Sequence, residues 1–161
     1  MTSGTGRIHY IIYDDYDIHT MRISTRGRYA LRIMLDIAQN NEGRPVSFRD
    51  VSRRQSISVK YMEQIGSILV RGGFLRSVRG SQGGYVLASD PSELMVGDIL
   101  RATEGSLLSV SCVEEDCERL DTCLTYPLWS RINRAVADVV DHTSLQDLLD
   151  GSIREPPIRI E

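Results

Sequence analysis

The stretch VSFRDVSRRQSISVKYMEQIGSILVRGGFLRSVRGSQGGYVL, residues 46–87, decides the fold of this chain. Ser47 stands before an apolar run and Asp50 follows three residues later, a pattern that predicts the start of a helix. Ser58 predicts the N-cap of a second helix. That helix should end at residues 72–73, because two glycines there favour a left-handed C-terminal residue. Its apolar face is formed by Val59, Met62, Ile65 and Leu69.

A β-hairpin is predicted directly after the second helix. Residues 74–78 and 85–87 have the pattern of strands, and the intervening RGSQGG segment supplies glycines for the positive φ angles of a tight tip. Helix, turn, helix and hairpin in this order are typical of a winged helix-turn-helix. The sequence therefore predicts a mainly α-helical fold with a small β-hairpin wing, in which the second helix suits a DNA major groove.

The charge of the chain is unevenly distributed. The formal net charge is −3, but residues 22–79 carry 12 Lys and Arg against 4 Asp and Glu, whereas residues 80–161 carry 6 against 15. A basic half beside an acidic half fits a protein that neutralises DNA phosphates with one end. Two ordinary solvated faces are the alternative interpretation.

Composition limits the other possibilities. No apolar run approaches the roughly 20 residues that span a bilayer, so no membrane association is expected. Residues 1–20 lack the apolar segment of a signal peptide, which predicts a cytoplasmic protein, and they are expected to form a poorly ordered extension. The chain has three histidines and no set of catalytic side chains beside its cysteines, so an enzyme is not expected.

Three motifs resemble those of one family of bacterial regulators. They are MRISTRGRYALRIMLDIA at residues 21–38, ISVKYMEQ at 57–64 and GFLRSVRGSQGGY at 73–85. Through them the chain resembles the IscR/CymR/NsrR (Rrf) family of winged-helix transcription factors over residues 21–149. The resemblance implies a homodimer that binds double-stranded DNA at a pseudo-palindromic operator, with its recognition helices in successive major grooves.

The resemblance also implies which residues contact DNA. Near the start of the first helix, predicted at residues 25–40, the candidates for contacts with the DNA backbone are Thr25, Arg26, Arg28 and Tyr29. In the recognition helix and the wing they are Ser58, Lys60, Tyr61, Glu63, Gln64, Arg79 and Gly80. Glu63 is the informative candidate, because phosphates repel a carboxylate unless it reads a base such as the cytosine amino group. Solvated surface charge is the alternative at these positions.

All three cysteines lie within twelve positions: Cys112, Cys117 and Cys123. A disulfide would leave one of them over and is rare in the cytosol. Structural zinc usually has four ligands, and no fourth stands out. Thiolates in a loop also suit an iron–sulfur cluster, and reactive redox thiols are a further interpretation. The five acidic residues of this loop are expected to raise the pKa of the thiols and to make a bound cluster easily oxidised.

The family resemblance favours the cluster among these alternatives. IscR-type members have three cysteines here followed by a histidine ligand, which implies an iron–sulfur cluster, expected to be 2Fe–2S, on Cys112, Cys117 and Cys123. In this chain Tyr126 stands where that histidine would be. The fourth ligand therefore stays open among Tyr126, His142, Glu114, Asp121 and an external thiol. The CymR branch shares the opening motif but lacks the cysteines.

A long amphipathic helix is predicted after the cysteines. Pro127 suits its first turn. An apolar stripe recurs at Leu128, Ile132, Ala135, Val136, Val139 and Val140. The resemblance implies that this stripe packs antiparallel against the same helix of a partner, and a helix folded onto its own domain is the alternative. Ser144 and Asp147 predict the cap of a last short helix.

The predicted organisation has five parts. They are an N-terminal extension at residues 1–20, a winged helix-turn-helix domain at 21–104, a cysteine-containing sensor loop at 105–126, a dimerisation helix with a short terminal helix at 127–150, and a loose tail at 151–161. The predicted function is a dimeric, sequence-specific transcriptional regulator that senses iron–sulfur, redox or sulfur status. The alternative is a winged-helix interaction module with structural zinc or redox-active thiols and no cluster.

Overall fold

The structure, a computed structural model, describes residues 23–110, 113 and 117–153. The described chain forms α1 (Thr25–Asn40), α2 (Phe48–Gln55), α3 (Val59–Arg71), β1 (Leu75–Val78), β2 (Gly84–Leu87), α4 (Val96–Glu104), a 3-10 turn (Leu120–Thr122), α5 (Tyr126–Asp141) and α6 (Leu145–Asp150). It is a winged helix, mainly α-helical with a two-stranded antiparallel hairpin, and the predicted fold class is confirmed. The predicted extension at 1–20, most of the predicted tail and Cys112 lie outside the described residues.

Serine side chains cap the N-terminal ends of α1, α2 and α3. Ser24 Oγ accepts from the backbone N–H of Arg26 at 3.1 Å, and Ser47 Oγ accepts from Asp50 at 3.2 Å. Ser58 Oγ accepts from the N–H of Tyr61 at 3.3 Å, which confirms the predicted start of α3. These bonds satisfy amide groups that a helix leaves without partners in its first turn.

The hydrophobic core lies between α1, α3 and α4, with β1 and α6 closing it. Its fully buried side chains include Ile33, Met34, Ile37, Met62, Ile65, Leu69, Leu75, Ile99 and Leu145. Val59, which the sequence pattern places on the apolar face of α3, is instead 38% exposed. The reason is that α3 enters the core one turn later, at Met62, so its first turn is left in solvent.

The wing is attached to the start of α2. Leu75 pairs with Leu87 at one end of the hairpin and Val78 with Gly84 at the other. Val46 adds a bridge to Tyr85, with N–H to oxygen distances of 2.9 Å in both directions. Phe74 does not open the strand as predicted, because its N–H donates to Leu69 O and closes α3.

A buried ion pair fixes α2 against α1. Asp36, 2% exposed, accepts two bonds from Arg54 Nε at 3.0 and 3.1 Å and one from Gln55 Nε2 at 2.8 Å. The hydrogen bond to Asp36 raises the pKa of the Arg54 guanidinium. Arg32 of α1 also donates to the side chain and the backbone oxygen of Gln55. Because these bonds hold the C-terminal end of α2, they set the left-handed turn at Ser56 that leads into α3.

The helix α5 is held at its C-terminal end and only partly covered along the rest of its length. Arg101 of α4 donates to both carboxylate oxygens of Asp141 at 2.7 and 2.9 Å. A Cβ at Gly97 would overlap the Asp141 carboxylate, so this glycine lets α4 and α5 approach closely. Among the 16 residues of α5 the one buried side chain is the polar Asn133. No helix in the described residues is long and apolar enough to cross a membrane.

Candidate nucleic-acid interface and cysteine loop

The exposed polar side of α3 begins at its first turn. Lys60, Glu63 and Gln64 are exposed, whereas Met62 between them is fully buried. The buried side anchors the helix to the core and leaves these three side chains free to meet another molecule. Ser58, another predicted DNA-contact residue, precedes the helix, and its hydroxyl oxygen caps it.

Two tyrosines bring the start of α1 beside the start of α3. The rings of Tyr29 and Tyr61 meet edge to face with centroids 5.9 Å apart, and both side chains are half-buried. The guanidinium of Arg32 lies 5.3 Å from the Tyr29 ring centroid. These contacts join the first turns of the two helices into one surface, the α1–α3 surface. Thr25, Arg26 and Arg28 are exposed at the start of α1.

The wing tip carries the remaining predicted DNA-contact residues. Arg79 and Gly80 are exposed. Gly80 has φ +120°, a conformation that L side chains rarely adopt, and its oxygen accepts from the N–H of Gly83 at 3.0 Å. Within the described chain no hydrogen bond, ion pair or ring contact joins Arg79 or Gly80 to the α1–α3 surface. The wing is therefore a separate group of candidate contacts.

Cys117 and Cys123 stand on either side of the 3-10 turn, and both are half-exposed. Cys123 Sγ lies 3.3 Å from Thr125 Oγ1. The pKa of the Cys123 thiol is lowered, first by that hydroxyl, then by the backbone N–H groups of Thr125 and Tyr126 and by the charge of Arg119. The prediction that the acidic loop raises the thiol pKa is therefore wrong for Cys123, because the donors in direct contact with its sulfur lower that pKa.

The structure separates the candidates for a fourth ligand. Tyr126 follows closely on Cys123, and its backbone nitrogen lies 3.2 Å from Cys123 O. Asp121 lies in the 3-10 turn just before Cys123. His142 follows the last residue of α5, about 24 Å along the helix from its start. A cluster on Cys123 therefore cannot take His142 of the same chain as a ligand. Glu114 lies outside the described residues, and within them no three metal-ligating side chains converge.

The donor chemistry of the described cysteines fits a thiolate-bound group. An iron–sulfur cluster is held by deprotonated thiols, and the surroundings of Cys123 favour that form. Cys117 is free and half-exposed in the same loop. The described residues thus include two of the three predicted ligands, and the lowered pKa of Cys123 is in the direction that cluster binding needs.

Two contacts between segments far apart in the sequence have no local sequence signal. Glu104, the last residue of α4, contacts Ser24 and Gly27 at the N-terminal turn of α1. These residues are 80 and 77 positions away from it in the sequence. Asn133 Oδ1 of α5 accepts from Ser109 N–H at 2.9 Å and from Ser109 Oγ at 2.7 Å. Such contacts form only when distant segments meet, so short-range patterns do not reveal them.

Sequence comparison identifies relatives of this chain. The sequence profile of Rrf2, described as an iron-dependent transcriptional regulator, matches residues 23–151. The chain is 38% identical over 132 residues to the HTH-type transcriptional regulator IscR of Serratia proteamaculans strain 568, covering 81% of this chain and 80% of that protein. The same identity and length relate it to IscR of Escherichia coli K12 strain DH10B, covering 81% and 82%.

Solved structures show the same likeness. The structure of CymR (YrzC), the global cysteine regulator of B. subtilis, superposes with a TM-score of 0.70 at 40% identity, covering 81% of this chain and 97% of that chain. T. potens IscR superposes with a TM-score of 0.67 at 34% identity, covering 81% and 88%. The chain is thus similar both to an IscR and to a CymR.

Proposed function

The chain belongs to the Rrf2 family of transcriptional regulators, so it is a DNA-binding regulator and not an enzyme, and we propose how it binds and what it senses. It acts as a homodimer on a pseudo-palindromic operator. Its three cysteines hold an iron–sulfur cluster whose state alters operator binding.

The observation that carries the DNA-binding arrangement is the joint surface of α1 and α3. Lys60, Glu63 and Gln64 are exposed on a helix whose opposite side is fixed in the core, as readout in a major groove requires. Thr25, Arg26 and Arg28 at the start of α1 are exposed, and they are the proposed phosphate contacts. The edge-to-face contact of Tyr29 and Tyr61 joins the two groups.

The remaining predicted contacts have supporting roles. Ser58 shapes the first turn of α3 through its cap, and Arg79 offers a guanidinium at the wing tip. Gly80 allows the conformation of that tip. An arginine at an exposed hairpin tip suits a phosphate or a narrow minor groove.

The exposed stripe of α5 supports the homodimer. On α5 Leu128 is 52% exposed and Val139 47%, and Ala135 between them is exposed too. Leu124, which precedes the helix, is 97% exposed. The alternative of a helix folded onto its own domain leaves these side chains in water. A second copy of the same helix would cover them, and an isologous contact uses each residue twice.

The cysteine loop supports the sensing proposal. Cys112, Cys117 and Cys123 are the proposed ligands, and a cluster there would supply a change of charge and of loop order on gain, loss or oxidation. Tyr126 and Asp121 are the same-chain candidates for the fourth ligand that lie close to Cys123 among the described residues. Protein purified without oxygen should contain iron and sulfide in stoichiometric amounts. Absence of both after anaerobic reconstitution would remove the cluster.

A second candidate is sensing by the thiols without a cluster. The lowered pKa of Cys123 favours it, because a thiolate is the form that reacts with oxidants. Iron-free protein whose operator affinity still changes on oxidation, and not after Cys123→Ser, would favour this candidate.

Glu63 provides the test of the DNA-binding arrangement. Replacing Glu63 by Ala should relax base choice at one position of each half-site, losing about 1–3 kcal/mol of discrimination, whereas affinity for random DNA should not fall. Footprinting and competition with single-base operator variants measure this. Glu93→Ala, an exposed acid outside the proposed surface, is the matched control. Unchanged base preferences after Glu63→Ala would remove α3 from base readout.

A further inference from the structure

The N-terminal turn of α1 is capped by a residue of another helix. Glu104 Oε1 accepts a hydrogen bond from the backbone N–H of Gly27 and another from Ser24 Oγ, both at 2.7 Å. Ser24 Oγ in turn accepts from the N–H of Arg26 at 3.1 Å. Two amides that a helix leaves without partners are therefore satisfied, one locally and one by the end of α4.

The space for this contact depends on a glycine. Gly27 is buried, and a Cβ on it would overlap the carboxylate of Glu104. The overlapping atoms are the far end of a flexible side chain, so a larger residue at this position would push Glu104 aside rather than disturb the backbone of α1.

The negative charge of Glu104 lies beside the proposed phosphate contacts of α1. A carboxylate beside a surface that binds phosphates repels them and lowers affinity, unless its hydrogen bonds contribute more than that repulsion costs. The residues that follow Ser24, namely Thr25, Arg26 and Arg28, are the proposed phosphate contacts. Their direction is set by the turn that Glu104 holds.

We propose that Glu104 is a positioning residue for DNA binding, which holds the first turn of α1 so that Thr25, Arg26 and Arg28 meet the phosphates. This inference rests on the proposed backbone contacts of α1. A contact with DNA by Glu104 itself has no part in it.

Three variants separate positioning from charge. Glu104→Ala removes the acceptor, Glu104→Gln removes the charge but retains an acceptor oxygen, and Gly27→Ala displaces the carboxylate while retaining its charge. Ala also favours the helix more than Gly does, so this last variant should stay folded. Glu93→Gln removes one exposed negative charge elsewhere and is the control.

Operator affinity measured over a range of salt concentrations, well below the melting temperature of each variant, gives the result. Glu104→Ala and Gly27→Ala should both bind about ten-fold more weakly, with a salt slope smaller by about one, because a phosphate contact is lost. Glu104→Gln should stay within about two-fold of the wild type, as should Glu93→Gln.

Two results would overturn the positioning role. One is tighter binding by both Glu104 variants with Gly27→Ala unchanged, which would mean that only the charge of Glu104 matters. The other is lowered melting temperatures with unchanged affinities, which would mean a purely structural contact. A wild-type protein without salt-dependent operator binding would instead refute the proposed DNA contacts, and the positioning role would fall with them.

Discussion

At Cys123 the reactivity of one residue is set by its neighbours in direct contact. The Thr125 hydroxyl and two backbone N–H groups stabilise the thiolate, and Arg119 adds a positive charge. The count of acidic residues in the loop favours the opposite direction, but the described carboxylates Glu118 and Asp121 are exposed and screened by water. Composition could predict that these thiols are functional. It could not predict the direction in which the pKa of Cys123 shifts, because that direction depends on hydrogen bonds of defined geometry.

The thiol of Cys123 can be tested by its rate of alkylation. In a Cys112→Ser, Cys117→Ser background, the iodoacetamide rate follows the thiolate fraction, so a lowered pKa places its midpoint at lower pH than for an ordinary thiol. Thr125→Val should move the midpoint to higher pH and slow the reaction several-fold near pH 7. Thr122→Val, which removes a hydroxyl bonded to Arg119 O in the same loop, is the control. Equal midpoints in all three proteins would show that Thr125 does not stabilise the thiolate.

Among the secondary-structure elements, those with local signals are the ones predicted best. The predicted bounds of α1 match those observed, and the serine caps of α2 and α3 are visible in the sequence. The start of β1 was misplaced, because Phe74 bonds back to the end of α3, a choice settled by tertiary geometry. The exposure of Val59 was missed for the same reason, since periodicity does not reveal where a helix enters the core.

The attachment of the wing is an element-level feature with a clear test. A Cβ at Gly84 would overlap the backbone of Val46, which pairs with Tyr85, and the Tyr85 ring stacks on Phe48 with centroids 3.8 Å apart. Gly84→Ala should lower the free energy of unfolding by about 1–3 kcal/mol, since backbone atoms must shift, and should weaken operator binding by moving Arg79. Denaturant unfolding and a gel shift measure the two effects.

Ser81 provides the control for this change. It is exposed at the tip of the same hairpin, so Ser81→Ala should change the free energy of unfolding by less than about 0.5 kcal/mol. If Gly84→Ala were equally harmless, the close approach of the wing to Val46 would not contribute to stability.

Across the whole molecule, a packed winged domain carries a helix that the described residues cover only in part. The core is shared by α1, α3, α4 and α6, whereas α5 buries a single residue, Asn133. The amphipathic pattern of α5 was evident from the sequence, and so was the basic charge of the winged region. Neither pattern predicts what covers α5, because an exposed stripe on one chain does not identify its partner. Neither predicts the fourth ligand, because Tyr126 and Asp121 both lie close to Cys123.

The exposed stripe of α5 gives the prediction that concerns the whole assembly. Leu128 and Val139 lie on the side of α5 proposed to meet a second copy. Leu128→Asp with Val139→Asp would place four unpaired carboxylates in a two-fold interface, since each substitution occurs twice. The dimer should dissociate at least about 100-fold more readily, because burying even one unpaired charge is costly. Sedimentation velocity over a range of protein concentrations measures the shift to monomer.

In the same variant, loss of the dimer should also weaken operator binding. A monomer binds one half-site at a time and loses the gain from holding both half-sites together, so affinity for the full operator should approach that for an isolated half-site. The melting temperature of the winged domain should change little, because both side chains are exposed within one chain. Arg134→Asp, at an exposed polar position of α5 outside the apolar stripe, should remain dimeric. A double variant that stayed dimeric and bound the full operator normally would place the dimer interface elsewhere on the molecule.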